Sequence, residues 1–127
     1  MEGSVIMPLV KIEMKKGHSK EYKKTYLQAV HDALEVALGI PEDDRYQRLY
    51  EVEPNEFEVD DNKTDHFAII ELTIFPGRTK EIKKKIIEQI TKLLQERLGI
   101  LAMDTFIVIH EPSFDNWGIG GKQLSDE

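Results

Sequence analysis

The stretch GHSKEYKK (17–24) decides how this chain folds, because GRTKEIKK (77–84) repeats it sixty residues later with five of eight positions identical. The register holds on both sides: LGI recurs at 38–40 and 98–100, and Asp44 falls on Asp104. No gap is needed from residue 8 to residue 44. A fixed internal period of this length predicts two copies of one supersecondary unit.

Each copy has the pattern of a strand, a helix and a second strand. Alternating apolar residues predict the first strand of each copy, at PLVKIEM (8–14) and AIIELTI (68–74). Helical stripes of apolar residues follow at 19–38 and 79–98. The predicted N-caps are Ser19 and Thr79, the predicted C-terminal stops are Gly39 and Gly99, and the second strands are RYQRLYEVE (45–53) and TFIVIHE (105–111).

Right-handed strand-helix-strand units have parallel strands, and two such units can share one sheet. The predicted fold is therefore α/β (α+β): tandem β-α-β units forming a four-stranded sheet with both helices on one face. The 127 residues are enough for one domain. We expect residues 1–7 to be a non-native or wrongly assigned N-terminal extension. The domain then comprises repeat one (8–54), a linker (55–67), repeat two (68–112) and a C-terminal segment (113–127).

Composition excludes several classes of function. No cysteine is present, which rules out disulfides, thiolate metal sites and a cysteine nucleophile. The balance of 17 basic against 24 acidic residues, net −7, disfavours nucleic acid as a partner. No apolar run approaches the roughly 20 residues that a bilayer requires. The four histidines show no metal-ligand spacing. We therefore expect a soluble, cytoplasmic protein without a metal, a nucleic-acid partner or a membrane partner.

The second face of the predicted sheet also carries apolar residues. TFIVIHE alternates poorly, and FAII (67–70) places apolar side chains on both faces. A homo-oligomer that buries this face is the natural solution.

Differences between the copies cannot be explained by folding requirements that both copies share. Pro8 stands where the second copy has Ala68, and Arg78 stands where the first copy has His18. If the mature chain begins at Pro8, the first copy offers a secondary amine and the second offers a guanidinium.

Four stretches together resemble the tautomerase superfamily (4-oxalocrotonate tautomerase-like fold), and within it the malonate semialdehyde decarboxylase-like branch. They are MPLVKIEM (7–14), IPEDDRYQ (40–47), FPGRTKE (75–81) and NWGIGG (116–121). The resemblance implies a homotrimer, an amino-terminal proline as the catalytic group and no cofactor. It assigns catalytic roles to Pro8, Asp44 and Arg78, and it places Arg78, Trp117 and Ile119 in a pocket for a small carboxylate-bearing substrate.

Two departures from the decarboxylase pattern bear on the reaction. The second arginine of that pattern falls on Pro76, within FPG, and its pocket phenylalanine falls on Ile119. A neutral Pro8 amine beside Arg78 and an apolar wall predicts a tautomerase of 2-oxo acid enols, phenylpyruvate-like, with Pro8 as general base. A protonated Pro8, favoured by Asp44, predicts a decarboxylase or hydratase of 3-oxo acids. If Pro8 is not N-terminal, the chain is a catalytically silent carboxylate-binding or assembly module.

Overall fold

The computed structural model of the chain describes residues 8–126. The predicted extension, residues 1–7, lies outside the described residues. The main elements are β1 (Leu9–Lys15), α1 (Lys20–Leu38), β2 (Tyr46–Val52), β3 (Ala68–Thr73), α2 (Lys80–Leu98) and β4 (Thr105–His110). A small hairpin follows, of β5 (Gly118–Ile119) and β6 (Lys122–Gln123). The repeated strand-helix-strand pattern is confirmed.

The four long strands form one mixed sheet in the order β2-β1-β3-β4. Within each copy the two strands are parallel, and β1 pairs with β3 antiparallel at the centre. At one end of the sheet, which we call the Pro8 end, β1 and β2 begin while β3 and β4 finish. The other end, which we call the far end, carries the turn between β1 and α1.

Both helices cover the same face of the sheet, as predicted. Their N-termini are capped by Ser19, which accepts from the Tyr22 N–H at 3.0 Å, and by Thr79, which accepts from the Ile82 N–H at 3.1 Å. The core between helices and sheet contains fully buried side chains from the sheet and from both helices: Val10, Ile12, Ile70, Leu72, Tyr26, Leu34, Ile86, Ile90 and Leu94. Burying each Ile or Leu contributes about 1.5–3 kcal/mol, which fixes the sheet against the helices.

The opposite face of the sheet is open over much of its area. Tyr46, Tyr50 and Phe106 expose 48%, 48% and 58% of their surfaces there. The linker covers part of this face near the far end, where Phe57 lies close to Glu13 and Ile69. Large aromatic side chains therefore remain exposed on the face that does not contact the helices. No helix in the described part of the chain has both the length and the apolarity to cross a membrane.

The linker is held to the far end by polar contacts. Asp104, which is 1% exposed, accepts hydrogen bonds from the Thr64 N–H at 3.0 Å and from the Thr64 hydroxyl at 2.6 Å. The Tyr22 hydroxyl lies 2.9 Å from His66 Nδ1, and His18 Nε2 lies 3.0 Å from the Asp65 carbonyl oxygen. These contacts fix the linker to the far end.

Candidate active site

The sheet topology brings the predicted site residues to one end of the molecule. Pro8 directly precedes β1, and Asp44 lies two residues before β2 begins. Arg78 lies in the turn after β3, and Trp117 lies in the segment that follows β4. Because β1 and β2 begin where β3 and β4 finish, all four residues belong to the Pro8 end.

Pro8 is buried at the start of the central strand β1. The paired residues Leu9 and Thr73 put Pro8 beside Ile74 at the next register position. The Ile74 N–H donates to the His110 carbonyl oxygen at 2.9 Å, which extends the sheet past the last paired residue of β3. Pro8 is therefore held between the start of β2 and the end of β3 rather than at the lateral edge of the sheet.

Arg78 stands in a tight turn, FPGR, that connects β3 to α2. Gly77 has a φ of 108°, a conformation that L residues rarely adopt, so the turn requires glycine there. Within residues 8–126, no carboxylate forms an ion pair with Arg78, whereas Arg97 pairs with Asp32 at 2.8 Å. Arg78 is half-buried, and its guanidinium has paired N–H donors of the kind that match the two oxygens of a carboxylate.

Three aromatic residues, Phe75, Phe114 and Trp117, form what we call the aromatic wall of the Pro8 end. Phe75 is only 6% exposed, and its ring meets the Trp117 ring edge-on, with centroids 4.7 Å apart and planes at 74°. The Phe114 ring lies 5.5 Å from the Phe75 ring. Trp117 Nε1 donates to the Pro112 carbonyl oxygen at 3.0 Å, so the indole is held by both a hydrogen bond and ring contacts.

Ile119 lies in the terminal hairpin and is 40% exposed. Gly120 and Gly121 form the turn of this hairpin with φ values of 62° and 80°. The Leu124 N–H donates to the Trp117 carbonyl oxygen at 3.0 Å, which ties the hairpin to the aromatic wall. The structure thus places Ile119 two residues from the wall without burying it.

Asp44 and Asp104 occupy equivalent places in the two copies but have different surroundings. Asp104 is buried and accepts both hydrogen bonds from Thr64, so its role is to anchor the linker. Asp44 is half-buried, and its N–H donates to the Pro41 carbonyl oxygen at 3.1 Å. The neighbouring Arg45 reaches Gln28 on α1, with Nη2 2.9 Å from the amide oxygen.

The far end carries a different set of residues at the equivalent places. Ala68 occupies the position equivalent to Pro8, and His18 occupies the position equivalent to Arg78. The His18 ring stacks on the Tyr22 ring, with centroids 4.1 Å apart. Burial, assisted by the charge of Asp104, raises the pKa of Tyr22 to about 12, and the Tyr22 hydroxyl shares a 2.9 Å hydrogen bond with His66 Nδ1. The two ends are alike in backbone and unlike in chemistry.

Two members of the aromatic wall, Phe75 and Phe114, were not predicted as site residues. One signal in the sequence points to Phe75: at the sixty-residue offset it stands opposite Lys15. Phe114 lies beyond the repeat and has no counterpart with which it can be compared.

Known proteins resemble this chain over most of its length. A family model described as a tautomerase enzyme matches residues 44–120, and a second with the same description matches residues 8–65. The probable tautomerase YusQ of Bacillus subtilis (strain 168) is 28% identical over 119 residues, covering 90% of this chain and 94% of the relative.

Solved structures of known proteins also resemble this chain over most of its length. FG41 malonate semialdehyde decarboxylase, inhibited by 3-bromopropiolate, is 32% identical with a TM-score of 0.79, and 88% of each chain is covered. A fused 4-OT solved as an asymmetric trimer has a TM-score of 0.83 over 93% of this chain and 97% of that chain. At 21% identity, the fused 4-OT shows the fold alone.

Proposed function

The chain belongs to the tautomerase enzyme family, and on that premise we propose that it is a cofactor-free keto-enol tautomerase of small, phenylpyruvate-like 2-oxo acids. The observation that supports the proposal is the strand topology, which puts Pro8, Arg78 and the aromatic wall at the same end of the sheet. A base, a carboxylate anchor and an apolar surface are the three components that an aryl-bearing enol acid requires.

The proposed reaction moves one proton and leaves the composition of the substrate unchanged. The neutral Pro8 nitrogen takes the proton from the 2-hydroxyl of the enol, and the C2–O bond becomes a carbonyl as electrons move to C3. The Pro8 ammonium then gives a proton to C3, which restores the amine. Arg78 holds the substrate carboxylate by two parallel N–H···O bonds and stabilises the charge that develops on the adjacent oxygen.

This chemistry requires Pro8 to be the first residue of the mature protein. With residue 7 attached, the Pro8 nitrogen is part of a peptide bond and has no basic lone pair. We therefore propose that residues 1–7 are absent from the active form and that the domain is residues 8–127. A chain that retains residues 1–7 is instead a silent carboxylate-binding or assembly module.

A malonate semialdehyde decarboxylase-like activity is the second candidate. The 32% identity to FG41 malonate semialdehyde decarboxylase favours it, as does Asp44 at the Pro8 end, since a nearby carboxylate stabilises a protonated amine. Pro76 argues against it, because the second arginine of the decarboxylase pattern is missing there. The two activities are separated by assaying 2-oxo acid enols and 3-oxo acids in parallel.

We further propose that three copies assemble through the open face of the sheet. The exposed Tyr46, Tyr50 and Phe106 give that face an apolar surface that a second copy would bury. The fused 4-OT solved as a trimer has the same fold, which supports a trimeric state here.

Replacing Pro8 with alanine tests the proposed base. Starting from a chain that begins at residue 8, Pro8→Ala exchanges the secondary amine for a primary one, and we expect kcat/KM for phenylenolpyruvate to fall by about a hundredfold to ten-thousandfold. Loss of the enol absorbance measures the rate. Pro54→Ala, at the far end, is the matched control and should keep the parent rate. An unchanged rate in Pro8→Ala would refute the amine mechanism.

A further inference from the structure

The turns at the two ends of the sheet differ most at the positions that precede their shared glycines. The far end has Lys15 and Lys16 before Gly17, and the Pro8 end has Phe75 and Pro76 before Gly77. The Lys15 side chain is 15% exposed, and it occupies the position in the first copy that is equivalent to Phe75 in the second. The shared β-α-β scaffold therefore does not itself demand an aromatic ring at this position.

The Phe75 ring packs against Trp117 and holds the indole in position. It is almost wholly buried and meets the indole edge-on at 4.7 Å, a geometry that adds attraction beyond the area buried. Trp117 is half-buried, so part of its indole stays accessible at the Pro8 end. Phe75 thus forms the back of the aromatic wall, and Trp117 forms its accessible surface.

The turn at the Pro8 end has Phe75 and Pro76 where the far-end turn has two lysines, so it also carries less positive charge. Arg78 is the one cation in the FPGR stretch of this turn. A single guanidinium can bind a single carboxylate. Arg45, just before β2, and Arg48, within β2, line a cavity beside Leu9 that none of the aromatic-wall residues borders. There Arg45 binds Gln28 at 2.9 Å, and Arg48 lies opposite Lys11. A second ligand carboxylate placed against the aromatic wall would lose water without gaining a partner.

We propose that Phe75 is a specificity-determining residue, which makes the site prefer aryl-bearing monocarboxylates to dicarboxylates by holding Trp117 as an apolar surface and by excluding a second cation. The inference rests on the proposed function for the location of the site. It is independent of the Pro8 amine, because it concerns binding and not proton transfer.

The experiment compares two unreactive probes, 3-phenylpropanoate and glutarate, by isothermal titration calorimetry on the full chain. We expect the parent protein to bind 3-phenylpropanoate at least about tenfold more tightly than glutarate. Phe75→Lys reproduces the residue of the other turn and supplies a second cation. It should therefore reverse the preference, with a total change in the affinity ratio of about a hundredfold.

Two further variants keep the test decisive if Phe75→Lys folds poorly. Phe75→Leu keeps an apolar side chain but removes the ring contact, so 3-phenylpropanoate binding should weaken several-fold and the emission of Trp117, the one tryptophan, should shift. Glutarate binding should not improve in this variant. Phe57→Leu removes a similar edge-on pair, with Phe67 at 5.8 Å, and should leave both affinities unchanged.

The inference is overturned if the parent binds both probes equally, or if the Phe75 variants keep its affinity ratio within about twofold. Failure of the proposed function looks different. A protein that binds 3-phenylpropanoate with the expected preference and does not turn over phenylenolpyruvate would sink the tautomerase proposal while leaving the role of Phe75 intact.

Discussion

At the scale of single residues, equivalent positions of the two copies of the repeat can be compared with each other. Pro8 and Ala68, Arg78 and His18, and Phe75 and Lys15 are pairs that share a backbone position and differ in chemistry. Asp44 and Asp104 are the instructive exception, since the residue type is the same and the surroundings differ. Residue type alone therefore does not assign a role, and the contacts of each copy have to be considered.

The two aspartates should respond differently to the same substitution. Asp104→Asn exchanges one acceptor for an N–H₂ group that faces the Thr64 donors, and we expect it to lower the free energy of unfolding by about 1–3 kcal/mol. Urea denaturation measures this. Asp44→Asn removes a carboxylate from the Pro8 end, so the amine loses its proton more readily and the acid limb of the pH–rate profile should move to lower pH.

The contrary results for this pair are equally clear. Full stability in Asp104→Asn would show that the linker is not anchored through Thr64. An Asp44→Asn profile that coincides with the parent profile would remove Asp44 from the catalytic group.

At the scale of elements, helix boundaries were predictable because each has a local chemical signal. Ser19 and Thr79 cap the helices as predicted, and Gly39 and Gly99 end them with φ values of 71° and 68°. Strand order was harder to predict, because the antiparallel β1–β3 pair depends on how two copies meet and not on either copy alone. Ile87, an apolar residue inside the predicted helix 79–98, is 41% exposed because its neighbour Ile86 takes the core-facing position.

The contact between α1 and α2 contains a charged pair whose contribution to stability depends on pH. Partial burial acts to raise the pKa of Asp32, but hydrogen bonds from Gln28 and Arg97, together with the charges of Arg97 and His31, outweigh it and hold the pKa below its ordinary value of 3.8. A lowered pKa in the folded state stabilises the protein above the unfolded pKa, and that stabilisation is lost as pH falls through the folded pKa.

Arg97→Met should therefore reduce the free energy of unfolding by about 0.5–1 kcal/mol at neutral pH. The difference from the parent should shrink once the pH falls below about 4, where the carboxyl of the unfolded chain begins to take up protons, and should be lost when the pH has fallen through the lower pKa of Asp32 in the folded protein. Chemical denaturation across this pH range measures both effects. Lys92→Met, which removes a cation from the same helix, is the control. A difference that stays constant down to the lowest pH would contradict the assignment.

At the scale of the whole molecule, the sheet has one face covered by helices and one largely open. The sequence predicted apolar residues on both faces, and the exposed Tyr46, Tyr50 and Phe106 agree with that pattern. Pro8 and Arg78 could be singled out from the sequence because equivalent positions of the two copies could be compared, and their roles in a site stay a prediction. The aromatic wall could not be predicted, since its contacts join a turn to a segment beyond the repeat.

The proposed trimer should depend on the open face. Phe106→Glu places a charge where 58% of a phenylalanine is exposed, and burying that charge between copies would cost more than burying the ring gains. We expect this variant to sediment with the mass of a single chain and the parent at three times that mass. Ile87→Glu, on the exposed side of α2, should not change the assembly. A trimeric Phe106→Glu protein would place the interface elsewhere.

The most direct test of the central claim is the intact mass of the untagged protein, expressed from its own gene with the native upstream region. Catalysis by the Pro8 nitrogen predicts a mass that begins at Pro8, because only that form has a free secondary amine at the start of β1. A mass that retains residues 1–7 would contradict the claim, since the nitrogen would then be acylated and without basicity.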